Sequence, residues 1–367
     1  MRGEDLVYKV AMSFLKGLGP IRINNILSEL NPAQFFTLSI SDVKQCTRIS
    51  SNQLASMERN RALDLAVKEI EACSTHGIEP IFILDPNYPR RLKQCIDAPI
   101  VLYYRGEDLL NSRRTLAIVG SRMHTTYGIE LIKELMQGLS EAGVLTVSGL
   151  AMGIDSVAHE YSIKNNIPTV AVLGSGLNQV FPKRNTNLAQ EILAHGGALL
   201  SEYSVFSKPV RENFPVRNRI IAGLSDATIV VESREKGGAL ITANLANDYN
   251  RDVFAYPGSV HQQQSKGCNL LIQNQKAHLI TDAKDFIKLM GWQEAKTINR
   301  RLAFPDLLDE NEQLIVGILS QFESLYLDEI AMKSGFSMAS LQGILLNLEL
   351  KGLVIKTAGL EYRSRCS

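Results

Sequence analysis

The sequence predicts an α/β protein whose centre is a doubly wound, mostly parallel sheet. Seven short runs, at residues 116–119, 144–147, 169–173, 198–200, 227–231, 253–256 and 278–280, are apolar almost throughout, as strands buried on both faces are. They alternate with helix-length stretches, the order of repeated βαβ units. Glycines follow several of them, at Gly120, Gly149 and Gly153, Gly174 and Gly176, and Gly237 and Gly238. Such sheets bind ligands outside the carboxyl ends of their strands, where these turns fall.

From the N-terminus, residues 1–78 read as helices alone, at 6–15, 21–30, 41–46 and 54–73, with apolar positions at helical spacing. Gly17-Leu18-Gly19-Pro20 joins the first two, so a SAM/helix-hairpin-helix-like domain is expected. Its turn either offers amides to a DNA phosphate or packs two helices tightly. Residues 79–292 carry the Rossmann-like sheet domain. Residues 293–310, polar and charged with Pro305, read as a linker. In 311–367, helices at 312–321, 327–334 and 338–351 precede strands at 353–356 and 360–363 around Thr357-Ala358-Gly359, the order of a winged helix. Its third helix offers only Ser340, Gln342 and Asn347 to a groove, so protein contact or stability is the expected role, not duplex reading.

Composition narrows the function. With 367 residues, two or three domains are expected at roughly 100–200 residues each. Thirty-nine Lys and Arg against 38 Asp and Glu leave a formal charge of +1, so any nucleic-acid site must be a local patch. The five cysteines are scattered without a Cys-x-x-Cys spacing; reduced thiols are expected, with no disulfide framework and no structural metal. No run approaches the roughly 20 apolar residues of a membrane span, so a cytoplasmic protein with no membrane partner is expected.

Chemistry concentrates at the strand ends. The run Val147-Ser148-Gly149-Leu150-Ala151-Met152-Gly153-Ile154-Asp155 passes from a strand through two glycines into a helix, and Gly120-Ser121-Arg122 follows the neighbouring strand. Both junctions suit an anion, and Arg122 adds a fixed cation. Phe181-Pro182-Lys183-Arg184-Asn185 extends the same surface. Arg211 and Phe214 can offer a cation to a backbone and a ring to a base. Of Arg217 and Arg219, which flank Asn218, one is expected to face the ligand, with Arg217 favoured, and the other to pair with Asp226 or Glu232. Asp155 and His159 share a helix face at i, i+4, but no third ligand or nucleophile accompanies them, so a structural hydrogen bond is expected. Ser148, Ser175 and Thr242 suit capping or phosphate contact.

With Gly237-Gly238-Ala239-Leu240-Ile241-Thr242-Ala243, Tyr256-Pro257-Gly258 and Gly267-Cys268-Asn269-Leu270-Leu271-Ile272, these motifs run in one order over about residues 80 to 290. In that order they resemble the DNA-processing protein A family, DprA or Smf. The resemblance implies a non-enzymatic single-stranded-DNA-binding protein without cofactor. Such a homodimer protects incoming DNA and loads the RecA recombinase in natural transformation and homologous recombination. It also implies backbone contacts from Arg122 and Lys183. The expected nucleic-acid set is Gly120, Ser121, Arg122, Gly149, Gly153, Lys183, Arg211, Phe214, Arg217 and Asn218. Two departures stand out: Tyr256 where valine commonly precedes Pro-Gly, and Gln273-Asn274-Gln275-Lys276-Ala277 in place of a glycine-alanine end. The alternative is an enzyme processing a nucleoside monophosphate in the same pocket, with Glu232 or Asp155 as acid or base.

Overall fold

The computed structural model describes residues 2–47, 49–293, 308–322, 324–351, 353–356 and 361–364. The chain forms two compact units, Met1–Gln293 and Glu294–Ser367.

The first unit is built on nine strands: β1 Glu79–Phe82, β2 Val101–Gly106, β3 Arg114–Val119, β4 Val144–Ser148, β5 Thr169–Val172, β6 Ala198–Ser201, β7 Ala227–Val230, β8 Asp252–Ala255 and β9 His278–Leu279. Their order is β1-β2-β6-β5-β4-β3-β7-β8-β9. From β6 to β9 all neighbours are parallel, while β1–β2 and β2–β6 are antiparallel. The seven expected strands are present, and β1 and β2 add an antiparallel edge. Pro80 is tolerated in β1 because that strand lies at the sheet edge.

Alternation along β3 shows how the sheet is covered. Leu116 and Ile118 belong to a core with Ile132, Leu135, Phe254 and Phe286. Ala117 and Val119 belong to the other core, with Val147, Val172, Ile220 and Ala243. Successive side chains point to opposite faces, and each face is sealed by helices. Tyr256, the departure from the Val-Pro-Gly pattern, is buried in the first of these cores.

Among the described residues six α-helices precede β1: Arg2–Ala11, Pro20–Leu27, Pro32–Thr37, Ile40–Thr47, Ser51–Ser56 and Arg59–His76. Pro32–Thr37, absent from the sequence expectation, starts at a capping box between Asn31 and Gln34. The single helix expected at 54–73 is broken at Glu58, whose φ is +53°. Its carboxylate meets Lys16 at 2.8 Å and Arg61 at 2.7 Å. These helices share one continuous core with β1 and β2 through Phe35, Leu54, Ala66, Ile81 and Tyr103. Buried Glu69 accepts the Val205 amide at 2.6 Å, tying the last helix to the chain after β6.

The second unit has helices Glu310–Leu319, Leu327–Ser334 and Met338–Leu350. Its sheet joins β10 Leu325–Tyr326, β11 Val354–Lys356 and β12 Glu361–Ser364 in the order β10-β12-β11, all antiparallel. Ile315, Ile330, Leu341, Leu345, Val354 and Tyr362 form its core. This is the expected winged-helix order with one short strand added. Residues 294–307 of the expected linker and the 357–360 turn lie outside the described residues.

No described helix is long and apolar enough to cross a membrane. Cys46, Cys73, Cys95 and Cys268 are free thiols, and Cys366 lies outside the described residues.

Candidate nucleic-acid interface

The chain winds from β3 through β4 and β5 to β6 on one side, and continues from β7 to β9 on the other. Between β3 and β7 the loops at the carboxyl ends diverge, the place where doubly wound sheets hold ligands. A cleft of about 850 Å³ opens there.

Seven of the ten expected residues line it: Gly120, Ser121, Arg122, Arg211, Phe214, Arg217 and Asn218. Arg122 and Arg211 are exposed, and among the described residues neither lies within ion-pair distance of a carboxylate. The Arg122 loop is braced from behind. The Ser121 amide donates to Glu232 O at 2.8 Å, and the Ser121 hydroxyl donates to Gln264 Oε1 at 2.8 Å.

Gly149, Gly153 and Lys183 do not line the cleft, and the two glycines serve packing. A Cβ on Gly149 would stand 2.5 Å from Arg217 Nη1 and 2.6 Å from Asp155 Oδ2. Gly153 has φ +94°, and a Cβ there would stand 2.6 Å from Arg122 Cα. Two amides at this junction are engaged internally. Ile154 N–H donates to Ser121 O at 3.1 Å and Ala151 N–H to Asp155 Oδ2 at 3.4 Å. Lys183 is exposed, two residues beyond Phe181 at the rim.

Arg217 corrects the expectation of an outward cation. It is 3% exposed, and Nη1 donates to the carbonyls of Gly149, at 2.5 Å, and Val172. Burial pulls its guanidinium down to about 10, so it stays charged at neutral pH. Asp155 beside it is pushed up by burial and pulled down by Arg217. Arg217 thus pins the ends of β4 and β5 under the cleft. Arg219 is also corrected: it pairs with Glu202 and donates to Asp97 O. The carboxylates expected for it are taken. Arg91 holds Asp226 with bonds of 2.5 and 2.8 Å. Glu232, 1% exposed, accepts from the Thr125 amide at 2.9 Å and hydroxyl at 2.5 Å.

The mouth carries two rings. Phe214 and Phe181 meet with centroids 5.4 Å apart, tilted by 47°. Phe214 is half-buried, and Phe181 is 45% exposed. Asn213 Nδ2 donates to Gly174 O at 3.1 Å behind Phe214. Asn185 Nδ2 donates to Leu150 O at 2.8 Å and Ser156 Oγ at 2.9 Å, fastening the Phe181 loop to the β4 loop. Sequence reasoning named Phe214 but assigned no role to Phe181, Asn185 or Gln264. An aromatic four residues before an asparagine was the one signal available.

The rest of the cleft wall comes from the segment after β7, where Arg234, Lys236, Gly237, Gly238 and Thr242 line it. Among the described residues Asp155 is the one acid on the wall, and no histidine or cysteine lines it. His159 is fully buried, with Nδ1 2.7 Å from Thr169 Oγ1. Burial, with a smaller contribution from Arg217, holds its pKa down at about 3.

Residues 79–291 match the family profile described as DNA recombination-mediator protein A, and residues 303–359 match the DprA winged helix domain. Protein Smf of Synechocystis is 33% identical over the whole of both chains. The DNA processing protein DprA of Streptococcus pneumoniae is 39% identical over 68% of this chain and 84% of its own. The X-ray structure of DNA processing protein A from Streptococcus pneumoniae superposes with a TM-score of 0.66 at 33% identity, covering 77% of this chain and 97% of that one. A structure describing the single-stranded DNA binding mode of DNA processing protein A from Helicobacter pylori superposes with a TM-score of 0.53 at 29% identity. It covers 58% of this chain and 95% of that one.

Proposed function

This chain belongs to the DNA recombination-mediator protein A (DprA/Smf) family, and from that membership we propose that it binds single-stranded DNA in the switch-point cleft. Arg122 and Arg211 meet successive phosphates, Lys183 extends the track past the rim, and Phe214 with Phe181 stacks an unpaired base. Gly120 and Ser121 shape the Arg122 loop, and Asn218 lines the floor. From beneath, Gly153 brings the β3 and β4 loops together, and Arg217, packed on Gly149, joins the ends of β4 and β5.

The observation that carries this reading is the pair of accessible rings beside unpaired cations. Stacking platforms with a charged groove suit a flexible single strand, whereas a duplex keeps its bases stacked on one another. The Helicobacter pylori relative, described as binding single-stranded DNA, supports the same reading. Processing of a mononucleotide has no comparable support, because Glu232 is engaged by Thr125 and Asp155 sits against Arg217.

The further steps belong to the same proposal. A cytoplasmic homodimer protects the incoming strand during natural transformation and hands it to the RecA recombinase, without catalysing a reaction and without a cofactor. Anisotropy titration of a labelled oligothymidine tests the site: Arg122→Ala and Phe214→Ala should each weaken binding, and unchanged affinity in both would remove the cleft from consideration. RecA delivery is tested by the lag before RecA hydrolyses ATP on a strand already coated with single-strand-binding protein. The lag should shorten when this protein is added.

A further inference from the structure

The single-strand reading leaves the β7 side of the cleft without a role, yet that side is built to hold an anion. Helix Gly238–Asp248 begins there with no side-chain cap on its N-cap residue, Gly237. Gly237 N–H donates to Arg234 O at 3.0 Å and Leu240 N–H to Gly237 O at 3.2 Å. This leaves the amides of Gly238 and Ala239 as the free donors of the first turn, at the positive end of the helix dipole. Arg234 and Lys236 are exposed beside it and line the cleft. Among the described residues neither is held in an ion pair. Glu235 between them does not line the cleft.

A second observation points to a ligand. Thr242, one turn into the helix, is 1% exposed and lines the cleft. Among the described residues its hydroxyl has no hydrogen-bond partner, whereas the equally buried Ser233 donates its own to Arg234 O at 3.0 Å. That hydroxyl faces the cleft and can donate to a ligand there. By contrast, the carboxylate of Glu232 already fills the start of helix Thr126–Leu139.

We propose that Arg234, Lys236, Thr242 and the Gly238 and Ala239 amides form a phosphomonoester site. Two cations and a helix start suit a dianion better than the single charge of an internal phosphodiester. The ligand is therefore a terminal 5′-phosphate, carried by a DNA strand or by a free nucleotide. The cleft volume of about 850 Å³ falls within the roughly 300–1,000 Å³ range of small-molecule sites. The strand-end form of the proposal rests on the single-strand reading, and the free-nucleotide form does not.

The test compares 3′-labelled oligothymidines that differ only in a 5′-phosphate or 5′-hydroxyl, together with calorimetric titration of thymidine 5′-monophosphate into the full chain. A strand-end site predicts a gain of about tenfold from the 5′-phosphate, the effect of one charge-assisted hydrogen bond. A free-nucleotide site predicts thymidine monophosphate binding without that gain. Either signal should vanish in Thr242→Val, which keeps the buried volume, and in Lys236→Gln, which changes an exposed side chain. A signal that survives both substitutions, or neither ligand responding to the phosphate, would overturn the proposal. Failure of the 5′-hydroxyl strand to bind would count against the single-strand reading instead, leaving the monophosphate titration to decide this one.

Discussion

Phe214 is held half-buried against Phe181, with Asn213 fastened to Gly174 behind it, so its ring is pre-positioned for a base. Stacking contributes about 1–3 kcal/mol per base; Phe214→Ala should therefore weaken single-strand binding roughly 5- to 150-fold, and Phe214→Tyr should restore most of it in the same anisotropy assay. His159 makes a different prediction. Its ordinary value of 6.5 applies to the unfolded chain, while burial holds the folded value at about 3. Between these values the unfolded chain binds the extra proton, so stability falls as pH falls, by about 1.4 kcal/mol per unit. Urea unfolding at neutral pH and near pH 5 should show about 2 kcal/mol lost in the wild type from this group, and that part should be missing in His159→Gln. An identical loss in both would contradict it. At this scale the sequence made side-chain positions legible but not their directions. Arg122 and Arg217 look alike in the chain, yet one reaches solvent and the other reaches the carbonyls of Gly149 and Val172.

The cleft exists because three loops are clamped to one another. Arg217 joins the ends of β4 and β5, Gly153 lets the β4 loop touch the β3 loop, and Asn185 draws the Phe181 loop onto the β4 loop. Arg217→Met would strand two carbonyls and leave Asp155 buried without its neighbouring cation. Removing one partner from such a buried arrangement typically costs about 3–5 kcal/mol, so the variant's urea midpoint should drop sharply, and an unshifted midpoint would contradict the clamp. The parallel strands were legible because each apolar run is followed by a helix-length stretch, several of them across a glycine turn. β1 and β2 were not, because Pro80 interrupts the first and neither strand is followed by such a unit. The break at Glu58 was hidden because the helical spacing of apolar residues continues across it.

A formal charge of +1 on 367 residues means that attraction to DNA cannot come from the molecule's overall field; it must come from local exposed cations, Arg122 and Arg211 in the cleft and Lys183 beyond its rim. The second unit has its own core of Ile315, Ile330, Leu341, Leu345 and Tyr362, separate from the cores around the main sheet. A chain ending at Gln293 should accordingly melt cooperatively and keep its affinity for oligothymidine within about twofold; a loss beyond that would place part of the DNA contact in the second unit. The central claim is a local cationic track that selects an unpaired strand. Its most direct test is the dependence of affinity on salt, measured for oligothymidine and for its duplex with the wild type and Arg122→Ala. Each phosphate neutralised on a single strand contributes a slope of about −0.7 in log affinity against log salt. The account predicts tighter binding of the single strand and a slope shallower by about that amount in Arg122→Ala. Equal affinity for the duplex, or an unchanged slope in the variant, would contradict it.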